Sequence, residues 1–160
     1  QLHRRQRQMC IRDSLNTFKT SYVSAYPMII RGSLRENILY GITETIPDSE
    51  IKKEIDNFKL FDNNDIDLND SVSNKTLSSG QMQKIAFIRA ILSKPDLLLL
   101  DESTSNLDSK SKLLVYKILD SLNITIVNST HSSDELINYD KEIRFSNKNG
   151  ITEINEFKSL

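Results

Sequence analysis

With 160 residues, 38% of them apolar, the sequence is sized for one ordinary globular domain or part of one. Its 21 basic and 22 acidic side chains give a formal charge of −1, and outside the first dozen residues no basic stripe or run calls for nucleic acid or an anionic membrane. Apolar runs last only a few residues, far short of the ~20 needed to span a bilayer, so any membrane connection is expected to come from a partner or from sequence beyond this chain.

Residues 1–14 are expected to be cloning or assembly debris. "MCIRDS" (Met9 to Ser14) is what ATG TGT ATA AGA GAC AG plus one more base would encode, a string similar to the transposase end of sequencing adapters. The alternative is a basic native arm that touches phosphates. Setting the segment aside removes Cys10, His3, four Arg and one Asp, leaving 17 basic and 21 acidic groups, net −4. With no cysteine left, neither disulfide nor thiol chemistry is expected, and the reducing cytosol is the natural compartment.

Tyr22 and Val23 suit the end of a short strand, Pro27 and Gly32 punctuate a loop, and "SLRENIL" opens like a helix turn. Ile51, Ile55 and Phe58 recur near helical spacing, with Asp48 or Ser49 placed to cap. "FDNNDIDLNDSVSNKT" reads as an exposed polar loop. A helix is expected from about Gln81 to Leu92, apolar almost all round and therefore buried on most sides, ended by Lys94 and Pro95. "DLLLLDES" then reads as a strand in the middle of a parallel sheet. Leu114, Val115, Ile118, Leu119 and Leu122 mark one face of a second helix from Asp108, and "ITIV" (Ile124 to Val127) reads as another buried strand, followed by "STHSSDEL". Helix, strand, helix, strand is the α/β pattern of a parallel sheet with crossover helices.

Ligands of open parallel sheets sit beyond the carboxyl ends of the strands. Asp101 and Glu102 directly follow "LLLL", and His131 shortly follows "ITIV", so all three are expected at one rim. Taken singly they are ambiguous, since an acidic pair also caps helices and a lone histidine is commonly structural.

The succession Leu77-Ser78-Ser79-Gly80-Gln81, helix, four apolar residues, Asp101-Glu102, "SNLD" (Ser105 to Asp108), strand and His131 resembles that of the ATP-binding cassette (ABC) ATPases. "YVSAYPMIIRGSLRENILYG" is similar to the stretch of their exporters that runs from the Q-loop, Y-V-P-Q-x-P, to G-T-I-R-E-N-I-x-x-G. "YDKEIRFSNKNGITEI" resembles the closing strand pair, so the likeness covers about Ser21 to Leu160. It implies an α/β fold, a partial P-loop NTPase (RecA-like) parallel-sheet core with the ABC helical subdomain. Residues 15–160 would be a partial ABC ATPase domain, with about 35–92 the helical subdomain and signature motif, and 93–160 the core with Walker B, D-loop and H-loop.

The resemblance also implies roles. Two such domains sandwich ATP head to tail, and the signature, at a helix N-terminus, reads the γ-phosphate held by the partner domain through Ser78, Ser79, Gly80 and Gln81. Asp101 would hold Mg²⁺ and Glu102 would act as general base. His131 would hydrogen-bond the γ-phosphate, and Asp108 with its loop would tie the half-sites together. The implied partners are a second ABC ATPase domain and the transmembrane domains of a transporter, at the cytoplasmic face of the cell membrane, with no nucleic acid.

The sequence departs from the family in three places. Ser79 replaces the signature's first Gly, and Ala25 replaces the Q-loop glutamine that contacts Mg²⁺. No G-x-x-x-x-G-K-S/T and no adenine-stacking aromatic is present; both precede the Q-loop in the family, so the cradle is expected to have been lost by truncation. The function expected is ATP binding and hydrolysis coupled to transport, of exporter type, with little ATP affinity in this stretch alone. A soluble non-transport ABC ATPase, or a regulatory cassette without turnover, are the alternatives.

Overall fold

The computed structural model describes residues 18–61, 67–131, 140–148 and 151–158. The 1–14 segment lies outside them, as do 62–66 of the Asn/Asp-rich stretch and the part of "STHSSDEL" beyond His131. The elements, in order, are β1 (Thr20–Ser24), β2 (Gly32–Ser33), α1 (Leu34–Ile38), α2 (Asp48–Asn57), β3 (Ser71–Val72), α3 (Ser79–Leu92), β4 (Leu97–Asp101), α4 (Ser109–Asp120), β5 (Thr125–Ser129), β6 (Lys141–Lys148) and β7 (Ile151–Lys158). They fall into two compact units, one ending at Ser129 and one starting at Thr130.

In the first unit β1, β4 and β5 form a parallel sheet in the order β1-β4-β5, in which Tyr22, Leu99 and Val127 share one row and Ser24, Asp101 and Ser129 another. "LLLL" is the central strand, as its uniform apolarity predicts. Both crossovers advance in the same direction across the sheet, so the right-handed rule places α3 and α4 on one face. Val23, Leu98 and Leu100 are buried there, in one cluster with Ile85, Phe87 and Ile88 of α3 and Val115 and Leu119 of α4. The Phe87 ring stacks on Phe58 just after α2, with centroids 6.1 Å apart.

The opposite face of the sheet is more open, and this corrects the expectation that "ITIV" is a buried strand. β5 alternates between exposed and half-buried residues, and Val127 is 54% exposed. It is an edge strand whose odd-numbered residues point away from the helices.

Other local expectations change for identifiable reasons. Neither Asp48 nor Ser49 caps α2: Pro47 holds the N-cap position without a side-chain bond, and the Asp48 carboxylate instead takes both guanidinium nitrogens of Arg35, at 2.7 and 2.6 Å. The polar stretch before the signature is not all loop, because Leu68 and Val72 plug the core and Ser71–Val72 pairs antiparallel with Gly32–Ser33. α3 starts two residues earlier than its apolar pattern, since Ser78 caps it. In the second unit β6 and β7 form an antiparallel pair, Lys141 opposite Lys158 and Lys148 opposite Ile151.

Candidate functional site

The carboxyl ends of β1, β4 and β5 line up as Ser24, Asp101 and Ser129. Asp101 is exposed at this rim, and its Oδ2 accepts the Tyr22 hydroxyl at 3.0 Å. That bond, helped by partial burial and the carboxylate's charge, holds the Tyr22 phenol above its ordinary pKa.

Glu102 has a left-handed backbone, φ 48°. An L-residue pays about 1–2 kcal/mol for that conformation, and such strain gathers where a side chain must be aimed. Its amide donates to Ser129 O at 2.9 Å and its carbonyl accepts Ser105 N at 3.1 Å, so the chain leaves the sheet in one abrupt turn with the Glu102 side chain exposed. Ser103, Thr104 and Leu107 are buried immediately after and anchor the turn.

Asp108 caps α4. Oδ1 accepts Lys110 N at 2.9 Å and Ser111 N at 3.0 Å, and Oδ2 accepts Ser111 Oγ at 2.8 Å. These bonds, those from Ser111 foremost, hold its carboxyl below the ordinary range.

At the start of α3, Ser78 and Gln81 form a capping box: Gln81 N donates to Ser78 Oγ at 3.2 Å, and Ser78 N donates to Gln81 Oε1 at 2.8 Å. The amides of Ser79 and Gly80 then have no acceptor among the described residues. Ser78 Oγ, already accepting from Gln81, keeps its own proton to donate. Two N–H groups and one hydroxyl at the positive end of a helix dipole suit an anion. A Cβ placed on Gly80 would meet Asn106 O at 3.6 Å and Leu107 Cδ2 at 3.9 Å, ordinary contacts that the chain itself tolerates.

The structure therefore brings Asp101, Glu102 and Asp108 onto one strand-to-helix connection, with the signature residues against its Asn106. His131 belongs to the second unit, two residues past the end of β5, where it is exposed and engaged in an interaction of its own.

Three residues escaped the sequence reading. Tyr22 carried no signal beyond strand propensity. Gln83 did carry one, a polar side chain inside an apolar helix; it is fully buried and its Nε2 donates to Ser24 O at 3.0 Å. Asn106, within "SNLD", donates through Nδ2 to Ala25 O at 2.6 Å.

A cavity of about 370 Å³ opens elsewhere, between the edge of β1 and the far half of α3, around Lys19, Tyr40 and Arg89; none of the predicted site residues lines it. Among the described residues no three His, Cys, Asp or Glu side chains gather as a metal cage. Asp101 instead offers a single exposed carboxylate, with Oδ1 outside the Tyr22 bond. That fits a hard cation such as Mg²⁺, which keeps several waters and takes phosphate oxygens alongside one or two carboxylates.

The family model described as ABC transporter matches residues 4–105. The chain is 34% identical over 152 residues to "ATP-dependent permease MDL1" of Candida albicans, covering 89% of this chain and 22% of that protein. It is 38% identical over 147 residues to "Multidrug resistance protein 1" of Plasmodium falciparum, covering 86% of this chain and 10% of that protein. A bacterial multidrug resistance ABC transporter ATP-binding and permease protein, from Lactococcus lactis, is 35% identical over 138 residues, 82% of this chain and 23% of its own length. Among solved structures, that of a bacterial Atm1-family ABC exporter with ATP bound superposes with a TM-score of 0.69 at 19% identity, covering 77% of this chain and 23% of that one. The chain thus spans less than a quarter of each of these relatives.

Proposed function

The chain belongs to the ABC transporter family, and from that premise we propose that residues 15–160 are the part of an exporter's ATPase domain that runs from the Q-loop to the closing strand pair, carrying the hydrolytic acids of one half-site and the signature that reads the other. The observation that carries the reading is the rim itself. An exposed carboxylate at a strand end, a second one aimed by a strained turn, and a helix N-terminus with free donors all meet one connection, residues 101–108.

In this reading Asp101 holds Mg²⁺ through the oxygen that Tyr22 leaves free, and the ion neutralises phosphate charge when bound. Glu102 takes the proton of the attacking water, and His131 donates to the γ-phosphate. Ser78, Ser79 and Gly80 receive the γ-phosphate bound on a second ABC ATPase domain packed head to tail, while Gln81 holds their helix end in shape. Asp108 keeps α4 and the connection before it in place. In this reading the phosphate cradle and the membrane spans are supplied by other segments of the longer protein or its partners, this chain spanning less than a quarter of each of those relatives; no helix among the described residues is long and apolar enough to cross a membrane. The ATPase part then works at the cytoplasmic face of the cell membrane, attached through those spans.

The test is Glu102→Gln in the longer protein. Loss of a general base lowers turnover by about 10²–10⁴-fold, with ATP binding retained; an unchanged rate overturns the assignment. One observation favours a second reading. Ala25 offers no side-chain oxygen where the family's Q-loop has one, as in a regulatory cassette, and for that cassette the unsubstituted protein shows no turnover in the same assay.

A further inference from the structure

The turn that follows β1 is gripped at two successive main-chain carbonyls by side-chain amides from two different elements. Gln83 of α3 donates to Ser24 O at 3.0 Å, and Asn106, from the β4–α4 connection, donates to Ala25 O at 2.6 Å. Ser24 lies directly beside Asp101 in the sheet register. Asn106 in turn presents its own carbonyl to Gly80, where an added Cβ would stand 3.6 Å away. The signature helix, the acid-bearing connection and the end of the edge strand therefore meet on a two-residue stretch of backbone.

Gln83 is not there for stability alone. It is fully buried, and while Nε2 serves Ser24, its Oε1 has no partner among the described residues. A buried amide left half-satisfied is unfavourable compared with an apolar side chain of the same size. Its presence in a helix otherwise packed with Ile85, Ala86, Phe87 and Ile88 draws attention to the end that is bonded. Residue 25 is alanine and contributes no polar side-chain atom, so at that position the turn is held only through its main chain.

We propose that Gln83 and Asn106 are positioning residues that clamp the Ser24 and Ala25 carbonyls, so that in this chain the signature helix and the acid-bearing connection are registered to each other through backbone rather than through a side chain at position 25. The proposal rests on the ATPase reading above and deepens it. A shift of the signature helix, as when its N-terminus engages an anion, pulls on Ser24 through Gln83; the same stretch pulls on the Glu102 connection through Asn106. Neither residue touches the reacting atoms, so the clamp acts on the rate of the chemical step and leaves ATP affinity to other segments.

The experiment compares Gln83→Met, Asn106→Ala, Asn106→Asp and the Gln83→Met/Asn106→Ala double variant in the longer protein, with Glu102→Gln in parallel. kcat is expected to fall about tenfold or more in each single variant, with KM for ATP within about twofold and the melting temperature close to that of the unsubstituted protein. Asn106→Asp, of the same shape but with an acceptor facing the carbonyl, loses as much as alanine. The double variant falls short of the product of the singles, because both residues hold one stretch. Amide exchange over residues 24–28 accelerates in this chain carrying either change. If kcat is unchanged in the Asn106 variants while Glu102→Gln abolishes turnover, the clamp alone is overturned. If Glu102→Gln has no effect, the site assignment and the clamp fall together. Asn106 is exposed, so its variants fold and decide the matter even if Gln83→Met does not accumulate.

Discussion

Glu102 sits at φ 48° while its side chain faces solvent, so its backbone geometry and its chemistry are separable. A β-branched residue tolerates that φ worst and glycine best. Glu102→Val is therefore expected to destabilise the chain by about 1–2 kcal/mol, and Glu102→Gly to be neutral or stabilising by up to about 1 kcal/mol, read from urea midpoints. Asp108 carries a pH signature. Its folded pKa lies below the unfolded one, so the stability it contributes is present above the ordinary carboxylate pKa of about 4 and is lost as pH falls through the folded value. Against Asp108→Asn, which keeps a capping oxygen, the unsubstituted chain should be more stable at pH 6 and lose that advantage towards pH 3, in parallel thermal melts. At this scale the sequence displayed identities but not geometry. Asp101 and Glu102 stood out as candidates by following an apolar strand, and Asp108 through the family resemblance, whereas the left-handed φ of Glu102 and the Asn106 to Ala25 bond depend on chain segments that meet only after folding.

Under the proposed reading, the helix α3 joins stability and recognition in one element. Its interior was legible because apolar residues recur on most sides, and Phe87, fully buried against Phe58, is expected to cost about 3–5 kcal/mol when changed to Ala. Its start was displaced because periodicity cannot see a cap; the S-x-x-Q spacing of Ser78 and Gln81 was the available signal. Aspartate caps helices as well as serine does. Ser78→Asp is thus expected to leave the urea midpoint nearly unchanged, yet, under the proposed reading, to abolish turnover of the longer protein by placing a negative charge where the γ-phosphate would approach. A variant that hydrolyses ATP normally would remove the signature from the site. α2 shows the converse, a correct helix with a mistaken cap, since Asp48 found a bidentate partner in Arg35 that lies 13 residues away in sequence.

For the molecule as a whole, the parallel order and the crossover helices followed from alternating helix and strand patterns, but the asymmetry of the sheet did not. Val115 is fully buried while Val127 is half open, although both are valines in apolar runs. Val115→Ala is expected to destabilise this chain by about 1–3 kcal/mol and Val127→Thr by less than about 0.5 kcal/mol, read from urea midpoints. Gly80 points outward in another sense. The chain has room for a methyl group there, so Gly80→Ala yields a protein that folds, pairs and keeps its own acids. Under the proposed head-to-tail pairing, its defect falls on the nucleotide held by its neighbour. Where that neighbour is a second copy of the same protein, such an allele would act dominantly in a cell producing both versions, impairing the healthy copy in every mixed pair, whereas a variant that merely unfolds would be recessive.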